Sequence, residues 1–112
     1  MKITKSQISS DLIMVCLSGS FDAIGADDID MEMRKVSRAG KNVAVDLSEV
    51  TFITSQGVRI LVMAAKVVNA TNKKLVLLGP KPPIHKVLSI MGVDKLLDIY
   101  ETVDAMTAMT AL

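Results

Sequence analysis

The segment Val43-Ala-Val-Asp-Leu-Ser-Glu-Val-Thr-Phe-Ile-Thr-Ser-Gln-Gly-Val-Arg-Ile-Leu-Val62 decides the fold of this chain. Its apolar opening is typical of a buried strand, and apolar residues restart at helical spacing after Thr54 and Ser55. A hydroxyl at that point can cap a helix through free backbone N–H groups. The same N–H groups and the helix dipole also favour a phosphate there. The segment therefore predicts a strand, a tight turn and a helix, with Ser55 either a simple N-cap or a functional hydroxyl.

Length and composition bound the class of protein. A chain of 112 residues has the size of one domain, so residues 1–112 are expected to form a single unit. The 13 basic and 12 acidic residues nearly balance, which argues against a nucleic-acid or membrane-surface partner. No apolar run reaches the roughly 18 residues that cross a bilayer. Because Cys16 is the lone cysteine and no signal peptide is evident, the sequence predicts a cytoplasmic protein.

Hydrophobic periodicity predicts strands that alternate with helices after an opening hairpin. The order β-β-α-β-α-β-α-β-α predicts a single α/β domain with a mainly parallel sheet and four helices. The predicted strands are Lys2–Ile8, Leu12–Ser18, Asn42–Leu47, Lys73–Leu78 and Lys95–Tyr100, and the predicted helices are Ala23–Ala39, Ser55–Ala70, Ile84–Met91 and Val103–Leu112.

The same pattern gives expectations about turns and packing. Gly19-Ser20 is expected to end the second strand, and Ser48–Thr51 to form the turn after the third. Ile24 is expected to face the core from the first helix, within an apolar stripe. The second helix is apolar almost all round and is expected to be largely covered. Cys16 is expected to be a buried small hydrophobe.

The sequence shows no catalytic or metal-ligand set. His85 is the lone histidine and has no Cys, His or carboxylate at ligand spacing. Asp46 and Glu49 flank the predicted turn, and turn chemistry explains that pair without acid–base catalysis. Glycine-rich phosphate-binding motifs are also missing. The chain is therefore expected to be no enzyme and to hold no cofactor and no metal.

Three motifs occur in a characteristic order. The first motif, Leu17 to Asp22, reads Leu-Ser-Gly-Ser-Phe-Asp. The second, Asp46 to Gly57, consists of Asp-Leu-Ser-x-Val-x-Phe-Ile followed by a hydroxyl residue and Ser-x-Gly. The third is the segment from Val87 to Tyr100. Together they resemble the element before the first helix, the phosphorylation loop, and the third helix and last strand of the STAS domains of anti-sigma factor antagonists. The resemblance covers about Ile3 to Leu112 and implies a single STAS-type domain.

The resemblance also implies a function and a site. Members of this kind bind a serine kinase that doubles as an anti-sigma factor, and the kinase releases itself by phosphorylating them. Ser55 falls at the phosphoacceptor position, two residues before Gly57. Thr54 stands where the family has Asp, Gln56 where it has Ser or Thr, and Arg59 where it has the second glycine of the loop.

The positions expected to contact the partner are Asp22, Thr54, Gln56, Gly57 and Arg59. Asp22 is implied by the resemblance as a contact or organiser near the loop. Arg59 lies one helical turn after Ser55, where its guanidinium could pair with a phosphate of about −1.5 to −2 charges. The alternative for Arg59 is an ordinary exposed helix residue.

Two other functions remain open from the sequence. One is a STAS scaffold, or an accessory subunit of a transport or signalling complex, in which Ser55 is only a cap. The other is a small-ligand or nucleotide-binding module, since α/β sheets bind ligands beyond the carboxyl ends of their strands. The chain is expected to be a monomer or a weak dimer, and the sequence names neither the kinase nor the signal.

Overall fold

The computed structural model describes residues 1–105, which form one α/β domain built on a five-stranded sheet. The strands lie in the order β1-β2-β3-β4-β5; β1 and β2 form an antiparallel hairpin, and the other neighbours are parallel. This confirms the predicted fold class. The elements are β1 (Lys2–Ser9), β2 (Leu12–Phe21), α1 (Ala23–Ser37), β3 (Asn42–Ile53), α2 (Ser55–Asn69), β4 (Leu75–Leu78), α3 (Pro82–Ile90), a 3₁₀ turn (Val93–Lys95) and β5 (Asp98–Tyr100).

Helices α1, α2 and α3 lie on one face of the sheet. Strands β2 to β5 are added in one direction, so right-handed crossovers place the connecting helices on the same side. Burial agrees, because Ile29 of α1, Leu61 of α2 and Leu88 of α3 share one core cluster with Leu47 and Leu77 of the sheet. This core holds the helix starts rigidly at the carboxyl ends of the strands.

Strands β2 and β3 are longer than predicted. The pairing continues to Phe21 and Ile53, through both Gly19-Ser20 and the segment Ser48–Thr51. The prediction of a break and of a turn was therefore wrong. The cause is two register shifts, at each of which β3 contains one more residue than the facing part of β2. Such bulges preserve the strand pairing but disturb the alternation of side chains between the two faces of the sheet. Residues typical of turns can therefore lie inside a strand.

Several other boundaries differ from the prediction. The last strand was predicted from Lys95, but the chain forms the 3₁₀ turn first and the strand only at Asp98–Tyr100. Helix α3 starts at Pro82, because proline at the first helical position loses no intrahelical hydrogen bond. Of the predicted helix Val103–Leu112, residues 106–112 lie outside the described residues.

Three predictions of burial were too strong. Ile24 leaves 74% of its surface exposed and does not belong to the core stripe of α1. Met63 on α2 is 48% exposed, so that helix is covered on one side only. Cys16 is half-buried and belongs to neither buried core cluster. None of the helices in this part of the chain has the length and apolar character needed to cross a membrane.

Candidate functional site

The candidate site lies where β2 and β3 end and helices α1 and α2 begin. Phe21 pairs with Ile53 at the last position of the ladder, so Asp22 and Thr54 leave the sheet side by side. The backbone N–H of Thr54 donates to the carbonyl of Phe21 at 3.0 Å, and its Oγ1 donates to the same oxygen at 3.4 Å. These bonds tie the entry of α2 to the end of β2.

Thr54, not Ser55, occupies the N-cap position of α2. Its backbone is extended, with φ −113° and ψ 177°, and its carbonyl accepts the first helical bond from Val58 at 3.0 Å. The Thr54 side chain makes no cap hydrogen bond, because its hydroxyl turns to Phe21. The reading of Ser55 as a simple N-cap is therefore wrong, since Ser55 is already the first helical residue.

Ser55 presents a hydroxyl that the fold does not use for a structural bond. The residue is exposed, and within residues 1–105 its Oγ makes a single long hydrogen bond, donated to Oε1 of its exposed neighbour Gln56 at 3.4 Å. The helix that carries it is anchored in the core by Val58 and Leu61. An accessible hydroxyl on a rigid helix start, where the dipole favours negative charge, suits covalent modification by an anionic group.

Gly57 lets α2 approach β2 closely. It is buried, and an ideal Cβ built on it would lie 2.6 Å from the carbonyl oxygen of Phe21 and 2.8 Å from its ring. Any side chain would thus push the start of α2 away from β2. Gly57 contributes to the site by positioning Ser55 and Gln56, since it offers almost no surface of its own.

Asp22 organises the neighbouring helix start. It is the N-cap of α1; its Oδ1 accepts from the backbone N–H of Gly25 at 2.9 Å, and its Oδ2 accepts from the Ser20 hydroxyl at 3.2 Å. The Gly25 bond, more than the Ser20 bond, holds the pKa of Asp22 below its ordinary value. Asp22 therefore stays ionised at neutral pH and adds a fixed negative charge beside the start of α2.

Arg59 is the cation nearest in sequence to the Ser55 hydroxyl. It lies one helical turn further along α2, is exposed, and forms no ion pair within residues 1–105. Residues four apart on a helix share a face. The guanidinium is therefore free to bind either a group attached to Ser55 or an acidic group of a partner.

Two apolar residues at this end of the sheet are exposed: Phe52, which the sequence did not single out, and Ile24, which it predicted to be buried. Phe52, which pairs with Ser20, is 56% exposed, and Ile24 follows Asp22 in the first turn of α1 at 74% exposed. Apolar side chains beside polar ones at a helix start are typical of protein interfaces. The sequence carried no signal for Phe52, because the bulges in β3 decide which face it occupies.

Other groups capable of chemistry lie apart from this site. The Sγ of Cys16 is 4.0 Å from Oδ2 of Asp46, and burial, reinforced by that carboxylate, raises the pKa of the thiol. The other oxygen of Asp46 accepts from the backbone N–H of Ser48 at 2.8 Å, a local bond that explains its position. Within residues 1–105 no three His, Cys, Asp or Glu side chains are grouped so as to hold a metal ion.

Comparison with known proteins gives the family. The model of the STAS domain matches residues 3–106, so the chain belongs to the STAS domain family. It is 31% identical over 93 residues to BtrV of Bordetella bronchiseptica, a candidate anti-sigma factor antagonist, covering 82% of this chain and 79% of BtrV. It is also 26% identical over 101 residues to the anti-sigma F factor antagonist of Paenibacillus polymyxa, covering 88% and 86%.

Solved structures show the same fold. The anti-sigma factor antagonist SpoIIAA in its unphosphorylated form superimposes with a TM-score of 0.78 at 17% identity, over 99% of this chain and 98% of that one. The phosphorylated form of the Bacillus cell fate determinant SpoIIAA gives a TM-score of 0.72 at 16% identity, over 96% and 99%. At these identities the likeness shows the arrangement of strands and helices.

Proposed function

We propose that this STAS domain is an anti-sigma factor antagonist that binds a serine kinase acting as an anti-sigma factor, and that phosphorylation of Ser55 switches this binding off. The names of the two sequence relatives support the regulatory class. The observation that carries the switch is the exposed Ser55 hydroxyl, which caps nothing and stands at the start of an anchored helix. The proposed role is binding in the cytoplasm, without catalysis by the chain itself.

The switch acts on binding because the fold tolerates the phosphate. Ser55 is the first residue of α2, where negative charge is stabilised by about 0.3–1 kcal/mol, and Arg59 one turn later is free to pair with it. In the interface with the kinase, the same phosphate is unfavourable. A phosphate of about −1.5 to −2 charges would have to be desolvated there, close to the ionised Asp22. The modified chain is therefore expected to stay folded and to release its partner.

The surrounding residues have separate roles in this proposal. Gln56 and Arg59 are exposed on α2 and contact the kinase, together with the apolar surface of Phe52. Thr54 is half-buried and Gly57 buried, and both fix the start of α2 against Phe21. Asp22 holds the start of α1 and supplies the negative charge next to the loop.

Thr54 favours a second candidate function. It stands where the family members that this chain resembles carry Asp, and its hydroxyl is directed to the carbonyl of Phe21. A site without that carboxylate suits a STAS scaffold or accessory subunit that binds its partner through the same surface with no phosphorylation. The two functions share the interface and differ only in whether Ser55 is modified.

A phosphorylation assay on the purified chain distinguishes the phosphorylated switch from the scaffold. The chain is incubated with ATP and an ATP-binding anti-sigma protein from the same cell, and mass spectrometry then locates any phosphate. We expect a single phosphate on Ser55 and none on Ser55→Ala. Thr54→Ala serves as the matched control, since it removes the neighbouring hydroxyl and should still be phosphorylated. Binding without phosphate would support the scaffold, and phosphate on Thr54, Thr51 or Ser48 would overturn the assignment.

A further inference from the structure

The outer ridge of α1 carries large apolar side chains that the proposed function leaves unexplained. Met31 points opposite to the buried face of the helix, which contains Ile29, Met33 and Val36, and 70% of its surface is exposed. Ile24, seven residues earlier and thus on the same side of the helix, is 74% exposed. Methionine and isoleucine at the centre of a solvated helix face are typical of a contact surface.

The charges of this ridge are arranged symmetrically about Met31. Asp27 and Asp28 lie four and three residues before it, and Arg34 and Lys35 lie three and four residues after it. All four are exposed. The ridge is thus acidic at one end, apolar at its centre and basic at the other end.

We propose that the ridge binds the same ridge of a second copy of this chain, with the two helices antiparallel and a two-fold axis at Met31. In this arrangement Asp27 faces Lys35 of the second copy, and Asp28 faces Arg34 of the second copy. Each contact occurs twice, which is the self-complementarity that a two-fold interface requires. Ile24 then lies along the aliphatic stem of Arg38 of the second copy.

Some of these charges already form surface ion pairs that the dimer would share or exchange: Asp28 accepts from the N-terminal ammonium of Met1 at 2.9 Å, and Arg34 donates to Asp30 at 3.0 Å. Asp27 and Arg38 form no ion pair within residues 1–105, and both are exposed. Lys35 lies 3.7 Å from Glu32 on the same helix, a surface pair that is easily exchanged. A partner of uniform charge would match one end of the ridge and be repelled by the other, so a second copy fits it better.

The size of the ridge sets the strength of the dimer. Helix α1 has 15 residues, so a contact along it is only about 22 Å long. One helix pair buries less than the roughly 1,200 Å² that stable interfaces exceed. The dimer is therefore weak and dissociates on dilution. The dimer needs neither Ser55 nor a kinase, although Ile24 lies both on this ridge and beside the candidate site.

A charge exchange tests this arrangement without removing apolar surface. Asp27→Lys and Lys35→Asp are compared with wild type by sedimentation equilibrium over a wide range of concentrations. Each variant alone places like charges opposite each other twice, so we expect its dimer dissociation constant to rise by roughly tenfold. An equimolar mixture of the two variants restores opposite charges at both contacts and should dimerise like wild type. Ser55→Asp should leave dimerisation unchanged.

A cross-link tests the position of the two-fold axis. At a helix separation of about 8–10 Å, the two copies of residue 31 bring their Cα atoms within the range that a disulfide bridges. Met31→Cys in a Cys16→Ser background, with oxidised glutathione as oxidant, should form disulfide dimers much faster than the matched α2 variant Met63→Cys. The proposal would be overturned if wild type stays monomeric at high concentration or if the mixture of Asp27→Lys and Lys35→Asp does not dimerise like wild type. Equal rates of cross-linking at residues 31 and 63 would also overturn it.

Discussion

Gly57→Ala tests whether the close contact between α2 and Phe21 positions the candidate site. An ideal Cβ at residue 57 would lie 2.6 Å from the Phe21 carbonyl oxygen, a backbone atom held in the sheet, and 2.8 Å from the ring. Alanine favours a helix over glycine by up to about 1 kcal/mol. Overpacking costs about 1–3 kcal/mol. We therefore expect the free energy of unfolding to fall by about 1–2 kcal/mol and the melting temperature by about 4–10 °C.

Urea and thermal unfolding followed by circular dichroism measure this change. Gln56→Ala is the matched control, because Gln56 lies on the same helical turn but is exposed. That control should stay within about 0.5 kcal/mol of wild type. If Gly57→Ala melts at the wild-type temperature or above it, helix propensity dominates. The tight contact with Phe21 would then not be what holds the start of α2.

Three further outcomes follow from the site. Ser55→Ala should change the free energy of unfolding by no more than about 0.5 kcal/mol, because the hydroxyl caps no backbone group; a loss above about 1 kcal/mol in urea would show that it does. Asp22→Ala should be less stable than wild type at about pH 6. The folded-state pKa of Asp22 is lowered mainly by the Gly25 N–H, so its carboxylate stabilises the fold above its ordinary pKa and loses this effect as the pH falls. The difference in the free energy of unfolding between Asp22→Ala and wild type should thus narrow toward about pH 3. If urea denaturation gives the same difference at both pH values, the Asp22 carboxylate is not its cause. Phe52→Ala should weaken kinase binding by about tenfold in calorimetric titration while the melting temperature stays level; unchanged affinity would place the interface elsewhere.

The architecture could be predicted because its signals are local and repeated. Apolar runs ended by polar turns identified the strands, and their alternation with helices implied parallel pairing. The end of β3 could not be predicted, since the bulges that face β2 between Cys16 and Ser18 and between Gly19 and Ser20 depend on pairing with that strand. Glu49 stays in the strand because it pairs with Ser18 of β2, and the bulged Ser48 is held there by the bond from its N–H to Asp46.

The helix start that carries Thr54 and Ser55 was predicted in position but not in detail. The sequence placed Thr54 and Ser55 at a helix start, yet only the structure shows that Thr54 takes the N-cap position. That distinction depends on the backbone of Thr54 and on the Phe21 carbonyl, which lies 33 residues away in the sequence. The exposure of Ile24 follows from helical spacing, since Ile24 lies nine residues, or about two and a half turns, before the buried Met33 and thus on the opposite side of α1.

The affinity of Ser55→Asp for the kinase tests the central claim most directly. The kinase is titrated with wild type, Ser55→Asp and Ser55→Ala, and the melting temperature of each chain is measured in parallel. We expect Ser55→Asp to bind about 10- to 100-fold more weakly, with a melting temperature level or slightly raised, and Ser55→Ala to bind like wild type. Equal affinity of all three chains, or a sharp fall in the melting temperature of Ser55→Asp, would contradict a switch at Ser55.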